Sequence, residues 1–269
     1  MSAFSLSSTT SATTSAGEPG NVPGVWHADE LAGGPVRTVA TGHAGLDAEL
    51  PGGGWPLGAL TELLQAEGAP VWSLLLPALA EHWRAHGEAV VLVRPPHEPF
   101  MPALLAAGLP GQAVLWIRPE TLAASLWAAE QSLKCAGVGA VVAWLPGARA
   151  TDLRRLQGAA TRRASSLLFV VRPKNAASSA SPARVRLTIR GVQATPGSDR
   201  LLEVDILKRR GPPLAQPLFL PAESERIRAL LAAHQPSLQD QSGGAAVLPF
   251  AWPREDDDVR PLDRIAVAA

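Results

Sequence analysis

Three apolar segments of the chain each end in an Arg-Pro pair: VLVRPP at Arg94, LWIRPE at Arg118 and FVVRPK at Arg172. A guanidinium binds a phosphate or a carboxylate through two parallel hydrogen bonds. The carboxyl ends of parallel strands meet at one edge of a sheet, so three such side chains there would form a site for an anion or for an acidic segment of a partner. The alternative, which we favour, is that each arginine pairs with an acid in a nearby loop and each proline ends its strand.

A second feature is the absence of a phosphate-binding loop from the segment where an α/β nucleotide-binding protein would carry one. A loop with the pattern G-x-x-x-x-G-K-[ST] holds phosphates and Mg²⁺ through its lysine and hydroxyl. The segment that follows the strand predicted at 59–64 begins at Gln65 and reads QAEGAPVWS. It has a single glycine (Gly68), a proline without an amide donor (Pro70) and a bulky Trp72 near the lysine position. Together these losses remove the phosphate nest, and we predict no cofactor.

The elements that would position these residues follow from hydrophobic periodicity. Short apolar runs without alternation are typical of strands buried on both faces. They lie at 89–93, 113–117, 140–145 and 167–171. Apolar residues at helical spacing separate them, which predicts helices at 71–86, 102–107, 120–134 and 151–163. Strands that alternate with helices predict an α/β fold with a mostly parallel sheet flanked by helices.

The pattern changes after residue 173. Residues 174–183 predict a polar loop, and the segments 185–190 and 202–207 alternate between apolar and polar side chains, which predicts an antiparallel hairpin at the sheet edge. A last helix is predicted at 221–233. We expect disordered tails at 1–24 and 234–269, because both are poor in large apolar residues, and one folded domain at 25–233.

The charge of the chain is zero overall but unevenly distributed. Residues 149–212 hold 14 Lys and Arg against 4 Asp and Glu, so the rest is acidic. The zero net charge argues against a protein that coats nucleic acid. The basic region is either compensated within one domain or a docking face, and weak DNA contact, if present, should involve Arg154 and Arg155.

The stretch LKRRGPPLAQPL places Lys208, Arg209 and Arg210 before a Gly-Pro-Pro turn. We interpret it as a partner-facing or DNA-facing site, and a solvated turn is an equal alternative. Neither the single Cys135, which we expect to be buried, nor the helical pair His82 and His86 supports a metal site. No apolar run is long enough to span a membrane, and no secretory signal is evident, so we expect a cytoplasmic protein.

The opening VWHADELAGGPVRTVATGHAGLDAELPGGGWPLGALTELLQ and the closing LEVDILKRRGPPLAQPL resemble the ImuA family, over residues 25–220. The resemblance implies a RecA-like core. The catalytic positions of RecA ATPases are then lost, with Ala143 or Trp144 in place of the metal-binding Asp and Pro96 near the catalytic Glu. By the same resemblance, Lys208 and Arg210 match a basic pair that RecA proteins place near a neighbouring subunit's nucleotide.

The family is an accessory factor of DNA-damage-induced translesion synthesis, related to RecA and to SulA cell-division inhibitors. Membership implies three partners: RecA, an ImuB-type Y-family-like protein and an error-prone replicative-type polymerase. The chain would then be a non-catalytic adaptor. Two alternatives stay open: a SulA-like inhibitor of FtsZ assembly, and a noncanonical ATPase that uses the three arginines.

Overall fold

The computed structural model describes residues 37–66, 69–193, 200–212 and 214–222. The tails predicted at 1–24 and 234–269, the helix predicted at 221–233 beyond residue 222, and Gly68 lie outside the described residues, so those predictions and the domain boundaries stay predictions. Within the described part, no helix is long and apolar enough to cross a membrane.

The fold is built on an eight-stranded mixed sheet with the strand order β10-β9-β8-β3-β7-β6-β4-β5. Its strands are β3 (Leu60–Gln65), β4 (Ala89–Val93), β5 (Val114–Ile117), β6 (Val138–Trp144), β7 (Leu167–Pro173), β8 (Val185–Gln193), β9 (Arg200–Lys208) and β10 (Leu218–Pro221). Strands β3 to β8 pair in parallel, whereas β8–β9 and β9–β10 are antiparallel. A separate two-stranded ladder joins β1 (Thr38–Val39) to β2 (Trp55–Pro56).

Within the described residues, the two faces of the sheet are covered by five α-helices: α1 (Ala44–Glu49), α2 (Val71–His86), α3 (Met101–Ala106), α4 (Leu122–Lys134) and α5 (Ala150–Arg162). One apolar cluster joins the buried side chains of α1, α2 and α3 to one face, and a second joins α4 and α5 to the other. In β6, Val142 belongs to the first cluster, while Val141 and Ala143 belong to the second. The unbroken apolar runs of β4, β6 and β7 are therefore explained, because both faces of these strands are buried. The run at 113–117 differs, because it forms the edge strand β5, in which Leu115 is 52% exposed.

The glycine-rich opening is shaped by close packing. The amide of Thr41 donates to Asp47 Oδ1 at 2.7 Å and so ties the turn to α1. Gly42 has a positive φ of 84°, and a Cβ added there would overlap the side chain of Pro77. At Gly54 an added Cβ would overlap the carbonyl of Val39. These two glycines are required where chain segments approach one another closely.

The predicted fold class is confirmed, with several local corrections. The antiparallel hairpin β8–β9 exists, but β10, which the sequence did not predict, lies outside it and forms the edge. The predicted loop at 174–183 contains a 3₁₀ helix, Lys174–Ser178. Cys135 is exposed rather than buried.

Candidate functional site

A cavity of about 830 Å³ opens at the carboxyl ends of β3, β4, β6 and β7, where the missing phosphate-binding loop was expected. The end of each strand contributes a residue to its wall: Gln65, Arg94, Trp144 and Arg172. The first turn of α2 contributes Trp72. The volume lies in the range of small-molecule and side-chain pockets.

An aromatic pair lines the cavity where α2 begins and β6 ends. Trp72 lies against Trp144, with ring centroids 5.6 Å apart and planes tilted by 46°. Trp144 is buried at the end of β6, next to Ala143, which packs in the core. Trp72 therefore fills space with an indole at the position predicted for a missing lysine.

The backbone between β3 and α2 offers few donors to an anion. Pro70 caps α2 and has no amide hydrogen, and no side chain caps this helix start. The amide of Ala69 donates to the carbonyl of Ala66, and Gln65 Nε2 donates to the carbonyl of Ala69 at 2.7 Å. The amides of Ala69 and Val71 and the side-chain amide of Gln65 are thus already engaged within the segment.

Arg94 follows β4 with a positive φ of 53°, the one non-glycine residue with a positive φ in the described part of the chain. Its amide donates to the carbonyl of Ile117 at 2.9 Å, which holds the strand end in place. Its guanidinium lines the cavity, and no ion pair or hydrogen bond of it is found among residues 37–66, 69–193, 200–212 and 214–222. Pro96, at the position of the expected catalytic Glu, lines the same cavity.

The other two arginines of the Arg-Pro pairs are engaged. Arg172 is 7% exposed, and its Nη1 donates to Glu62 Oε1 at 2.6 Å and its Nη2 to the carbonyl of Ala148 at 2.8 Å. Arg118 is exposed and lies over the ring of Trp116, 4.5 Å from its centroid, and it does not line the cavity. The structure does not bring the three guanidiniums together. The favoured alternative is not met as stated, because the acid paired with Arg172 lies in the adjacent strand β3 rather than in a nearby loop. Among the described residues, no acid pairs with Arg94 or Arg118.

A buried carboxylate is the feature that sequence reasoning missed. Glu62 in β3 has no exposed surface and accepts hydrogen bonds from Arg172 and from Arg186 Nε, each at 2.6 Å. Arg186 also donates to the carbonyls of Ala176 and Ala177 in the 3₁₀ helix after β7. An acid in the middle of an otherwise apolar strand was the available signal, because a buried charge requires a charged partner.

The stretch Lys208–Arg210 lies at the amino ends of the parallel strands, across the sheet from the cavity at their carboxyl ends. It is placed there because β9 runs antiparallel to β8 and ends beside the start of β8. A second cavity of about 370 Å³ is lined by these three cations and Arg184. Arg209 Nη1 forms an ion pair with Glu49 Oε2 at 2.6 Å, and Lys208 Nζ donates to the carbonyl of Ser181 at 3.2 Å. This basic site is therefore separate from the cavity at the carboxyl ends.

The two arginines of α5 differ in their surroundings. Arg155 Nη2 forms an ion pair with Glu130 Oε2 at 2.7 Å, whereas Arg154 is exposed. Hydrogen bonds from Lys134 and then from Arg155 lower the pKa of Glu130 from its usual value. Charge compensation is thus real for Arg155, and Arg154 remains available to a ligand.

The histidine pair of α2 combines a buried residue, His82, with an exposed one, His86. The rings of His82 and His86 are 4.6 Å apart, and His82 Nε2 lies 3.7 Å from Glu88 Oε2. Burial lowers the pKa of His82, and the nearby His86 lowers it further. Among the described residues, no group of three or more His, Cys, Asp or Glu is placed to hold a metal ion.

Comparison with known proteins agrees with the resemblance found in the sequence. No protein-family model matches the chain. The chain is 31% identical over 134 residues to protein ImuA of Caulobacter vibrioides, covering 48% of this chain and 55% of ImuA. The resemblance to ImuA is confirmed over this region, and the chain spans about half the length of these curated relatives.

Two further proteins are similar. The cell division inhibitor SulA of Edwardsiella piscicida is 28% identical over 134 residues, covering 50% of this chain and 80% of SulA. A solved KaiC-like protein from Pyrococcus horikoshii superposes with a TM-score of 0.48 at 17% identity, covering 65% of this chain and 90% of that protein.

Proposed function

We propose that this protein is a non-catalytic, RecA-like accessory protein of DNA-damage-induced translesion synthesis. In this function it acts as an adaptor within an error-prone polymerase complex. Its partners are RecA, an ImuB-type Y-family-like protein and an error-prone replicative-type DNA polymerase, all of them in the cytoplasm. The similarity to ImuA supports the choice of pathway.

The observation that carries the adaptor function is the Trp72–Trp144 pair in the place of a nucleotide's phosphates. An ATPase needs a lysine, amide donors and acidic groups that hold Mg²⁺. The chain instead offers two indoles, Pro70 and Ala143 at the corresponding positions. A fold that has lost these groups still presents its surfaces to partners, which favours binding over catalysis.

Affinity purification of the tagged full chain from DNA-damaged cells, followed by mass spectrometry, tests the proposal. We expect RecA or an error-prone polymerase to be recovered from treated cells, and more of either than from untreated cells. A tagged unrelated protein of similar size is the control for nonspecific capture. Recovery of neither partner under these conditions would refute the adaptor function.

The similarity to SulA over most of that protein's length favours one second function, inhibition of FtsZ assembly. Light scattering of purified FtsZ with GTP distinguishes it. An inhibitor lowers the scattering plateau as its concentration approaches that of FtsZ. If excess protein leaves the plateau unchanged, this second function is ruled out while the adaptor function is unaffected.

A further inference from the structure

Arg94 is held in an unfavourable backbone conformation in the wall of the 830 Å³ cavity. A positive φ brings the Cβ of an arginine close to its own backbone, and a glycine there would avoid this cost. Such strain persists mainly where the side chain has a function. The strained position of Arg94 therefore indicates that its guanidinium binds a ligand.

The charge around Arg94 indicates the sign of that ligand. Its guanidinium is unpaired among the described residues, whereas the charge of Arg172 in the same wall is compensated by Glu62. No Asp or Glu is found among the described residues that line this cavity. Among the described lining residues, the uncompensated charge is thus the positive charge of Arg94, and complementarity favours an acidic group.

The remaining wall is apolar and aromatic. Trp72 is partly exposed and packs on the buried Trp144, and the prolines that line the same cavity include Pro95, Pro146 and Pro173. Aromatic walls next to a charged group are typical of pockets that anchor one or two side chains of a partner. The cavity volume is sufficient for such side chains.

The donor set argues for a carboxylate and against a polyphosphate. One unpaired guanidinium can hold one carboxylate through two hydrogen bonds. A triphosphate requires a loop of amide donors and a lysine. In the described part of this segment, Pro70 has no amide hydrogen, and the amide of Ala69 already donates to the carbonyl of Ala66.

We propose that this cavity binds an acidic-apolar segment of a protein partner, with a carboxylate on Arg94 and an apolar side chain on Trp72. This inference rests on the proposed adaptor function in one respect: because an adaptor binds other proteins, the ligand is taken to be a segment of a protein. The binding mode is an extended peptide whose specificity comes from one charged and one apolar contact.

A display library of random dodecapeptides, selected on the purified full chain, is the probe. We expect enrichment of sequences with Asp or Glu near Leu, Phe or Trp. A labelled peptide of the enriched sequence should then lose about tenfold in affinity on R94G and on W72A, as measured by fluorescence anisotropy. The variant R118Q is the matched control, because Arg118 also precedes a proline at a strand end but does not line the cavity, and it should bind as the wild type does.

The variant R94G separates loss of binding from loss of fold. Glycine accepts a positive φ, so R94G should unfold at a temperature equal to or above that of the wild type while its peptide affinity falls. The inference is overturned if no acidic-apolar sequence is enriched, if R94G binds the peptide as the wild type does, or if ATP or oligo-dT displaces the peptide.

The same variants distinguish this inference from the proposed function. If R94G fails to bind the peptide but still recovers RecA and the polymerase from damaged cells, the partners dock elsewhere and the adaptor function stands. If the peptide binds through Arg94 but no DNA-damage partner is recovered, the cavity site stands and the proposed function fails.

Discussion

Nη1 of Arg172 lies 2.6 Å from Oε1 of Glu62 in the interior of the sheet, where Glu62 is fully buried. The second carboxylate oxygen of Glu62 accepts from Arg186 at the same distance. Glu62 is in β3, between β7 and β8, which carry the two arginines. The two ion pairs of Glu62 therefore link β3 to both of its neighbouring strands. They also leave Arg172 unavailable to an anion at the carboxyl ends.

Replacing Glu62 by Gln should destabilise the fold strongly. The change leaves two buried guanidiniums without a counter-charge, and breaking a buried pair in this way costs about 3–5 kcal/mol. Urea unfolding followed by circular dichroism measures the difference in the free energy of unfolding. The control is Glu203→Gln, whose partner Arg190 is 56% exposed, and a surface pair of this kind contributes at most about 1 kcal/mol. Equal effects of the two changes would contradict the structural role of the buried cluster.

Two tryptophans should differ sharply in their contribution to stability. Trp55 is fully buried and meets Phe169 edge-to-face at 5.4 Å, so W55A should cost about 3–5 kcal/mol in the free energy of unfolding. Trp127 is 63% exposed on α4, so W127A should change it by no more than about 0.5 kcal/mol. Thermal unfolding of the two variants gives the comparison, and a larger shift for W127A would show that α4 is packed differently.

The stability of the fold should decline as the pH falls below 6.5. Burial lowers the pKa of His82, and burial also lowers the pKa of His43, from the usual value for histidine of about 6.5. Between the folded and the unfolded pKa the unfolded chain binds more protons, so protonation favours unfolding there. No such loss of stability is expected at higher pH, where the imidazoles are neutral in both the folded and the unfolded chain. Urea unfolding at a series of pH values measures the slope, which should be shallower in a His82→Gln variant. An unchanged slope in that variant would assign the dependence to other groups.

The cavity at the carboxyl ends should bind no nucleotide. Isothermal titration of ATP and polyphosphate into the chain should give no binding heat, because Pro70 and Trp72 replace the amide donors and the lysine. A Trp72→Lys variant should not restore binding, since one lysine does not rebuild the loop. ATP turnover that is lost in Arg94→Ala would contradict this expectation and support a noncanonical ATPase.

Any weak DNA binding should depend on the basic region and on salt. Charge reversal of Arg154, Arg155, Lys208 and Arg209 should weaken binding of a labelled single-stranded oligonucleotide, and affinity should fall as salt rises. Reversal of Arg154 alone should weaken binding more than reversal of Arg155 alone, since Arg155 is already paired with Glu130. Unchanged affinity in the fourfold variant would place the DNA contact elsewhere.

Much of the fold follows from local pattern. The strand predicted at 89–93 matches β4, and the helix predicted to end before Gly87 does so, with Gly87 at a left-handed φ of 66°. Periodicity detects such elements because neighbouring residues in one chain segment face the same environment. The short strands β1, β2 and β10 were not predicted, because two to four residues carry no period and pair only through distant segments.

Single residues were harder to place than elements. Trp55 lies beside the glycine-rich turn, yet it is fully buried against Phe169. Trp127 shows the opposite, since it lies in the middle of the helix α4 and is 63% exposed. The composition of a helix or turn does not determine which of its side chains is buried. Burial is determined by the elements that pack against it in the folded protein.

The loss of the phosphate-binding loop could be read directly from residue types, because a lysine and glycines that are absent from one short segment cannot be supplied by its neighbours. Which arginine stays available to a ligand could not be read in this way. Glu62 and Arg172 are 110 positions apart in the chain and meet only because β3 and β7 pair in parallel. Arg94 follows β4, two strands along the sheet from β7, and lines the cavity without an ion pair among the described residues.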